Sequence, residues 1–296
     1  MQNCGYRLCI MSGNNSKIIA FNYFGGKFTW LEYLYHHFPQ RFNHLIDLFG
    51  GSFSVSLNYP GRMIRTANEI NGEITNFFQV LRDREPELMR ALLLTPCSKT
   101  EYNQSWEMDG CDELERARRF YVRIRQSFFG LGAQRQNKGW HIAKTQVNAQ
   151  GGETVSKWNN GIEKLYDVAD VLRSNFQITN FDFNEAIDKL DFDGAFFYCD
   201  PPYPAETRAS FNDYRFEFST EKHEQLAKRL HDIQGLAMVS SYNSELYNDL
   251  YHDWRKVEFP VKKNNIRSSE VQEVIWMNYP EVSKGLFDEL HLQHSL

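Results

Sequence analysis

Seven apolar runs, each bounded by turn residues, punctuate the chain at residues 44–49, 63–67, 176–180, 194–198, 236–240, 255–259 and 271–279. Runs of this length and composition read as strands. Helical patterns separate most of them. Residues 53–59 follow a glycine turn, Asn71 can cap a helix reaching about Arg84, and Ser219 or Thr220 can cap one over 221–233, with Leu226, Leu230 and Ile233 on one face. Alternating strands and helices specify an α/β sheet with helices on both faces. The alternation stops between roughly Pro96 and Lys157, and Gly, Gln, Asn and Arg dominate after Phe129. A helical insertion that ends in a loop is therefore predicted, dividing the chain into residues 1–95, an inserted 96–160, and 161–296.

A chain of 296 residues, 42% hydrophobic and 15% aromatic, is long enough to bury a full core. No apolar stretch approaches the roughly 20 residues of a membrane span, and the N-terminus lacks the charged-then-apolar order of a signal peptide. A cytoplasmic location is the expectation. The five cysteines, Cys4, Cys9, Cys97, Cys111 and Cys199, contain no CxxC pair, so neither a disulfide framework nor a zinc site is predicted.

The strand-like run at 194–198 leads directly into Cys199-Asp200-Pro201-Pro202-Tyr203-Pro204. Proline donates no ladder hydrogen bond, so the pair ends the strand and stiffens a loop at its C-terminal edge, where open α/β sheets place ligands. Asp200 and Tyr203 then project from a rigid mount. An exocyclic amine on a flat base, its lone pair delocalised into the ring, needs acceptors more than a strong base. The Asp200 carboxylate and the Pro201 carbonyl can each accept one N–H, while the Tyr203 ring stacks on the base.

The first strong strand runs into Asp47-Leu48-Phe49-Gly50-Gly51-Ser52-Phe53, and paired glycines after a strand let the backbone turn sharply and approach a ligand. The dinucleotide G-x-G-x-x-G spacing is missing, and Gly26-Lys27 fails the Walker pattern. NAD and ATP lose ground accordingly. Residues 63–67 end in Asn68-Glu69-Ile70-Asn71, which puts Glu69 where an acid can bind ribose hydroxyls. Ahead of both lies Tyr23-Phe24-Gly25-Gly26-Lys27, an aromatic and a cation on one turn, suited to the amino acid end of a cofactor.

The formal net charge is -5, yet residues 116–152 contain no acid, where about five would follow from the chain average. That window holds Arg116, Arg118, Arg119, Arg123, Arg125, Arg135, Lys138 and Lys144, and a second cluster is Lys262, Lys263 and Arg267. Phosphate contacts need such local fields rather than a basic total.

Together these segments resemble the Dam-like family of DNA adenine N6-methyltransferases, in the order that puts the cofactor half first and the D-P-P-Y loop last. Residues 23–27 resemble the family's W-x-G-G-K turn, 45–57 its E-P-F-x-G-x-G-S segment, 67–71 its A-D-I-N and 200–203 its catalytic loop. Phe128-Phe129-Gly130-Leu131 is similar to the family's F-N-G-L. The resemblance implies a Rossmann-like methyltransferase sheet, S-adenosylmethionine as cofactor, no metal, and double-stranded DNA whose target adenine rotates out of the stack. It also implies that Tyr23, Lys27, Glu69 and Asp200 contact the cofactor, that Phe49 and Gly51 form its floor, and that Phe181 and Asp182 lie beside its adenine. Asp200, Pro201, Pro202 and Tyr203 form the catalytic loop. A bacterial or phage-encoded cytoplasmic enzyme is implied, and a cognate restriction endonuclease stands as one alternative beside a solitary or phage role.

Phe53 stands where the family has its second glycine, and Glu69 where it has Asp. Residues 132–144 depart from the target-reading hairpin, so the recognition sequence does not carry over. Gln134, Arg135, Gln136, Asn137 and Lys138 are the candidates there, since Arg pairs with guanine and Gln or Asn with adenine; Arg123, Arg125, Lys262, Lys263 and Arg267 are the phosphate candidates. Two alternatives stay open: methylation of RNA adenine or cytosine N4, and a catalytically retired DNA-binding module on the same fold.

Overall fold

The computed structural model describes residues 17–23, 25–127, 139–142, 147–148, 151–204, 218–260 and 272–281. In chain order its elements are α1 (Leu31–His36), β1 (His44–Asp47), α2 (Ser54–Asn58), β2 (Ile64–Asn68), α3 (Gly72–Asp83), α4 (Glu85–Leu93), α5 (Lys99–Gln104), α6 (Glu113–Gln126) and the short pair β3 (Val147–Asn148) and β4 (Gly151–Gly152). They continue as α7 (Glu153–Glu163), α8 (Leu165–Leu172), β5 (Phe176–Thr179), α9 (Phe183–Leu190), β6 (Ala195–Cys199), α10 (Thr220–His231), β7 (Leu236–Tyr242), α11 (Glu245–Leu250), β8 (Arg255–Glu258) and β9 (Glu273–Met277). Each of the seven expected strands is present. The caps read from sequence hold as well: Asn71 accepts from Glu73 N–H and Ser219 from Lys222 N–H.

The seven-stranded sheet has the order β5-β2-β1-β6-β7-β9-β8. Its first five strands are parallel, and β9 runs antiparallel to both β7 and β8. This is a Rossmann-like methyltransferase sheet. The chain proceeds outward from β1 to β2 and β5, then returns to the other side of β1 for β6 and β7. That reversal opens a crevice at the C-terminal ends of β1 and β6, the place where such sheets bind ligands.

The two-residue period of the strands sorts their side chains into two cores. Leu45, Phe196, Tyr198, Met238, Ile275 and Met277 face α1, whereas Ile46, Phe197, Cys199, Val239 and Trp276 join residues of α9, α10 and α11. Both sheet faces are thus closed to water. Strands buried on two faces carry continuous apolar runs, which is why β6, entirely buried, was legible as Ala-Phe-Phe-Tyr-Cys.

The inserted helices are fused to this body. α6 lies along α3, with Tyr121 stacked on Phe77 at 5.4 Å between centroids and 4° between planes, and Phe120 edge-on to Phe21 at 5.5 Å. Ion pairs add to that seam and correct the expectation for Arg123. Arg123 is buried, 3.1 Å from the Glu73 carboxylate of α3 and over the Trp106 ring, so it braces the insertion instead of meeting phosphate. Arg125 donates to the Lys157 carbonyl of α7 beside Gly161. Arg118 binds Glu101 and Glu115 at 2.8 and 2.6 Å, and Arg119 binds Glu115 at 2.6 Å. The acids that neutralise this helix sit on its first turn and on α3 and α5.

Candidate active site

Four strand ends converge on the crevice. β1 delivers Asp47 and the turn through Ser54, β2 delivers Asn68 to Asn71, β5 delivers Phe181 to Phe183, and β6 delivers Asp200 to Tyr203; Tyr23 and Lys27 come from the turn before α1, and Phe218 and Lys222 from the start of α10. The structure therefore brings together Tyr23, Lys27, Phe49, Gly51, Glu69, Phe181, Asp182, Asp200, Pro201, Pro202 and Tyr203. Gln134, Arg135, Gln136, Asn137, Lys138, Lys262, Lys263 and Arg267 lie outside the described residues.

The glycine turn after β1 explains two of the departures read in sequence. Gly51 has φ +53°, and a Cβ there would come within 2.9 Å of the Tyr23 ring, so the missing side chain is what lets Tyr23 lie against the turn. Phe53 is also left-handed, with φ 58°, the conformation that a glycine would have adopted freely. For a residue with a Cβ this costs about 1–2 kcal/mol. Its ring is fully buried and stacks on Phe78 at 4.2 Å and 21°, and burying such a side chain contributes roughly 1.5–3 kcal/mol. The backbone path survives the substitution because packing behind the turn offsets the strain.

Glu69 is buried and bridges two turns: Oε2 accepts from Gly51 N–H at 2.8 Å and Oε1 from Asn71 N–H at 2.9 Å. Burial raises its pKa, against which the two amides hold it down. The added methylene of Glu over Asp is what reaches the β1 turn. Each oxygen retains a lone pair for a further donor. Asp182, by contrast, caps α9 through Asn184 N–H at 3.0 Å, and Phe181 is fixed through its backbone by the Asn68 side-chain amide at 2.9 and 3.0 Å.

Lys27 lines the cleft from the turn before α1. It is 2% exposed, and its ammonium donates to Asp200 Oδ1 at 2.8 Å, Asp200 Oδ2 at 2.9 Å, the Tyr203 hydroxyl at 2.6 Å and the Gly25 carbonyl at 3.2 Å. An ammonium has three N–H groups. With the two carboxylate oxygens sharing one, all three have acceptors within the protein, so Lys27 clasps the catalytic loop. Burial lowers the pKa of this ammonium, and Asp200 and Glu273 outweigh it, leaving the pKa above its ordinary value. Tyr203, expected as a stacking surface, is buried edge-on against Tyr242 at 4.6 Å and 70°.

Sequence reasoning missed Asp47, Phe218, Lys222 and Ser240. Phe218 meets Phe49 edge-on at 5.5 Å and extends an aromatic wall that includes Phe183. Ser240 Oγ reaches Asp200 Oδ1 at 2.8 Å. Asp47 is 2% exposed and accepts from Ser56 Oγ at 2.9 Å and Ser56 N–H at 3.4 Å. Its position as the acid ending an apolar strand, like Asp200, was the available signal.

Burial pushes the Asp47 pKa up to about 7, further raised by Asp200 and Glu69 and opposed by the two Ser56 bonds. Between the ordinary carboxylate value and about 7 the folded protein therefore holds a proton that the unfolded chain releases. Stability falls as pH rises through that window and is level above it. Urea unfolding at pH 5 and pH 8 is expected to show wild type losing roughly 2 kcal/mol more than Asp47→Asn over that interval. Equal pH slopes in the two proteins would contradict the assignment. His37, whose pKa burial lowers to about 4, titrates in both proteins and cancels from the comparison.

A family model described as D12 class N6 adenine-specific DNA methyltransferase matches residues 23–268 of the chain. Similar proteins include the type II methyltransferase M1.LlaDCHI of Lactococcus lactis subsp. cremoris, 29% identical over 276 residues that cover 86% of this chain and 93% of the relative. The DNA adenine methylase of Haemophilus influenzae is 26% identical, covering 85% of this chain and 90% of its own length. The DNA N-6-adenine-methyltransferase of Escherichia phage P1 is 25% identical over 79% of this chain and 31% of its own.

Proposed function

Because the chain belongs to the D12 class of N6 adenine-specific DNA methyltransferases, we propose that its crevice takes S-adenosylmethionine between the ends of β1, β2 and β5, and the target adenine against the loop that follows β6. This assignment rests on one observation: Asp200, held by Lys27 and Ser240, stands at the C-terminal end of β6 inside the same cleft as the glycine turn and Glu69.

The lining suits that cofactor. Asp47, Glu69, Asp182 and Asp200 put four acidic side chains around the cleft against the two basic ones of Lys27 and Lys222, and the Lys27 ammonium is committed to Asp200 and Tyr203. Glu69 is the acceptor for ribose hydroxyls, Phe49, Phe181, Phe183 and Phe218 supply apolar walls for a purine, and Tyr23 over Gly51 bounds the amino acid end. When bound, the cofactor supplies an electrophilic methyl group on a sulfonium.

The remaining work belongs to the protein. The exocyclic amine of a base rotated out of the duplex places one N–H on Asp200 and the other on the Pro201 carbonyl. Two acceptors favour the tetrahedral nitrogen and draw its lone pair out of the ring, and Pro202 keeps the loop stiff enough to hold that alignment. Gln134, Arg135, Gln136, Asn137 and Lys138, with Lys262, Lys263 and Arg267, are the proposed DNA contacts. The type II name of the lactococcal relative supports a cognate restriction endonuclease as partner, and a DNA substrate favours a bacterial or phage-infected cytoplasm. Among the described residues no helix is long and apolar enough to cross a membrane.

Purified protein incubated with S-adenosylmethionine and methylation-free duplex DNA is expected to yield N6-methyladenine on nucleoside mass spectrometry. N4-methylcytosine as product, or no product with measurable DNA binding, would replace the reading.

A further inference from the structure

We propose that Ser240 is a positioning residue that selects which carboxylate oxygen of Asp200 receives the exocyclic amine of the target base. The inference deepens the assignment of that amine to Asp200 and rests on it. β7 runs beside β6 in parallel register and brings Ser240, fully buried, next to the start of the catalytic loop. Its Oγ lies 2.8 Å from Asp200 Oδ1, 3.1 Å from the Tyr198 hydroxyl and 3.4 Å from the Cys199 carbonyl.

A hydroxyl has one proton to give. The shortest of the three contacts is to a carboxylate, which also makes the strongest acceptor, so Ser240 donates to Asp200 and accepts from Tyr198. Oδ1 then receives both Ser240 and Lys27, whereas Oδ2 receives Lys27 alone. Each carboxylate oxygen offers about two acceptor sites. Oδ1 is filled and Oδ2 retains one, which makes Oδ2 the oxygen that meets the amine. Lys27 touches both oxygens almost equally, at 2.8 and 2.9 Å, and by itself does not distinguish them. Ser240 supplies the asymmetry, and without it the carboxylate is free to turn its plane.

The test compares Ser240→Ala with the double variant Tyr198→Phe/Ser240→Ala. The single change leaves the buried Tyr198 hydroxyl without its acceptor and lowers Tm; the double change removes that orphan. Steady-state methylation with tritiated cofactor, calorimetric cofactor binding and thermal unfolding are measured on each. Both variants are expected to lose about 10- to 100-fold in kcat, the size of effect that misplacing a reacting group produces, with DNA KM and cofactor affinity close to wild type, and the double variant is expected to recover Tm without recovering rate. A wild-type kcat in Ser240→Ala, a loss confined to KM, or a kcat that returns together with Tm in the double variant would overturn the proposal. Asp200→Ala separates the two levels: if it methylates at the wild-type rate, the parent reading fails, and if it is inactive while Ser240→Ala is not, only the role of Ser240 does.

Discussion

Asp200→Asn is expected to lower kcat for adenine methylation by about a thousandfold or more, in the range seen when a preorganised charge-stabilising group is lost. The change preserves size and removes two features that the site needs at once. Asp200 presents acceptor oxygens on both sides, toward Lys27 and Ser240 and toward the cleft. An amide has one acceptor and one donor. If its oxygen turns to Lys27, its NH2 confronts the N–H of the target amine; if its oxygen turns to the amine, its NH2 confronts an ammonium. Single-turnover methylation with saturating cofactor is the measurement, read beside a thermal unfolding curve to confirm that the chain remains folded. A variant within tenfold of wild type would mean that the carboxylate is not the group aligning the amine.

The second large effect concerns the other half of the clasp. Lys27→Met keeps the stem and deletes an ammonium whose side chain is 1% exposed against a partner 17% exposed. Removing one member of a buried ion pair strands the other, and here the Tyr203 hydroxyl and the Gly25 carbonyl lose their donor too. The expected cost is about 2–4 kcal/mol, slightly below the usual figure for a buried pair because Asp200 still reaches Ser240 and some solvent. Urea denaturation reads it. The double variant Lys27→Met/Asp200→Asn is expected to be more stable than the sum of the single changes predicts, since neither charge is then left alone. Strict additivity would show that the two side chains are neighbours without being partners.

The sheet was legible because its central strands are buried on both faces, so that Leu45 and Ile46, or Phe196 and Phe197, point to different cores and still leave an unbroken apolar run. Strand ends were equally plain at Asp200 and Glu69, where an acid closes such a run. What sequence did not disclose are pairings set by tertiary distance. Lys27 and Asp200 are 173 residues apart, and a lysine beside glycines reads as a ligand contact until the partner is known. Ser240 sits inside a run of small and apolar residues with nothing local to mark it. The acid-free window misled for a related reason: Arg118, Arg119 and Arg123 are neutralised by Glu101, Glu115 and Glu73, which all precede residue 116. Composition counts charges along the chain, whereas ion pairs form across it.

The clasp also bears on when the enzyme comes into being during synthesis. Lys27 leaves the ribosome 173 residues ahead of Asp200 on the β6 loop, and the β7 serine behind that loop follows later still. A chain grows at about 5–20 residues per second, so the cofactor half is out for several seconds before it has an acid to hold. A product that terminates before β6 is left with neither the Asp200 carboxylate nor the strand that carries it.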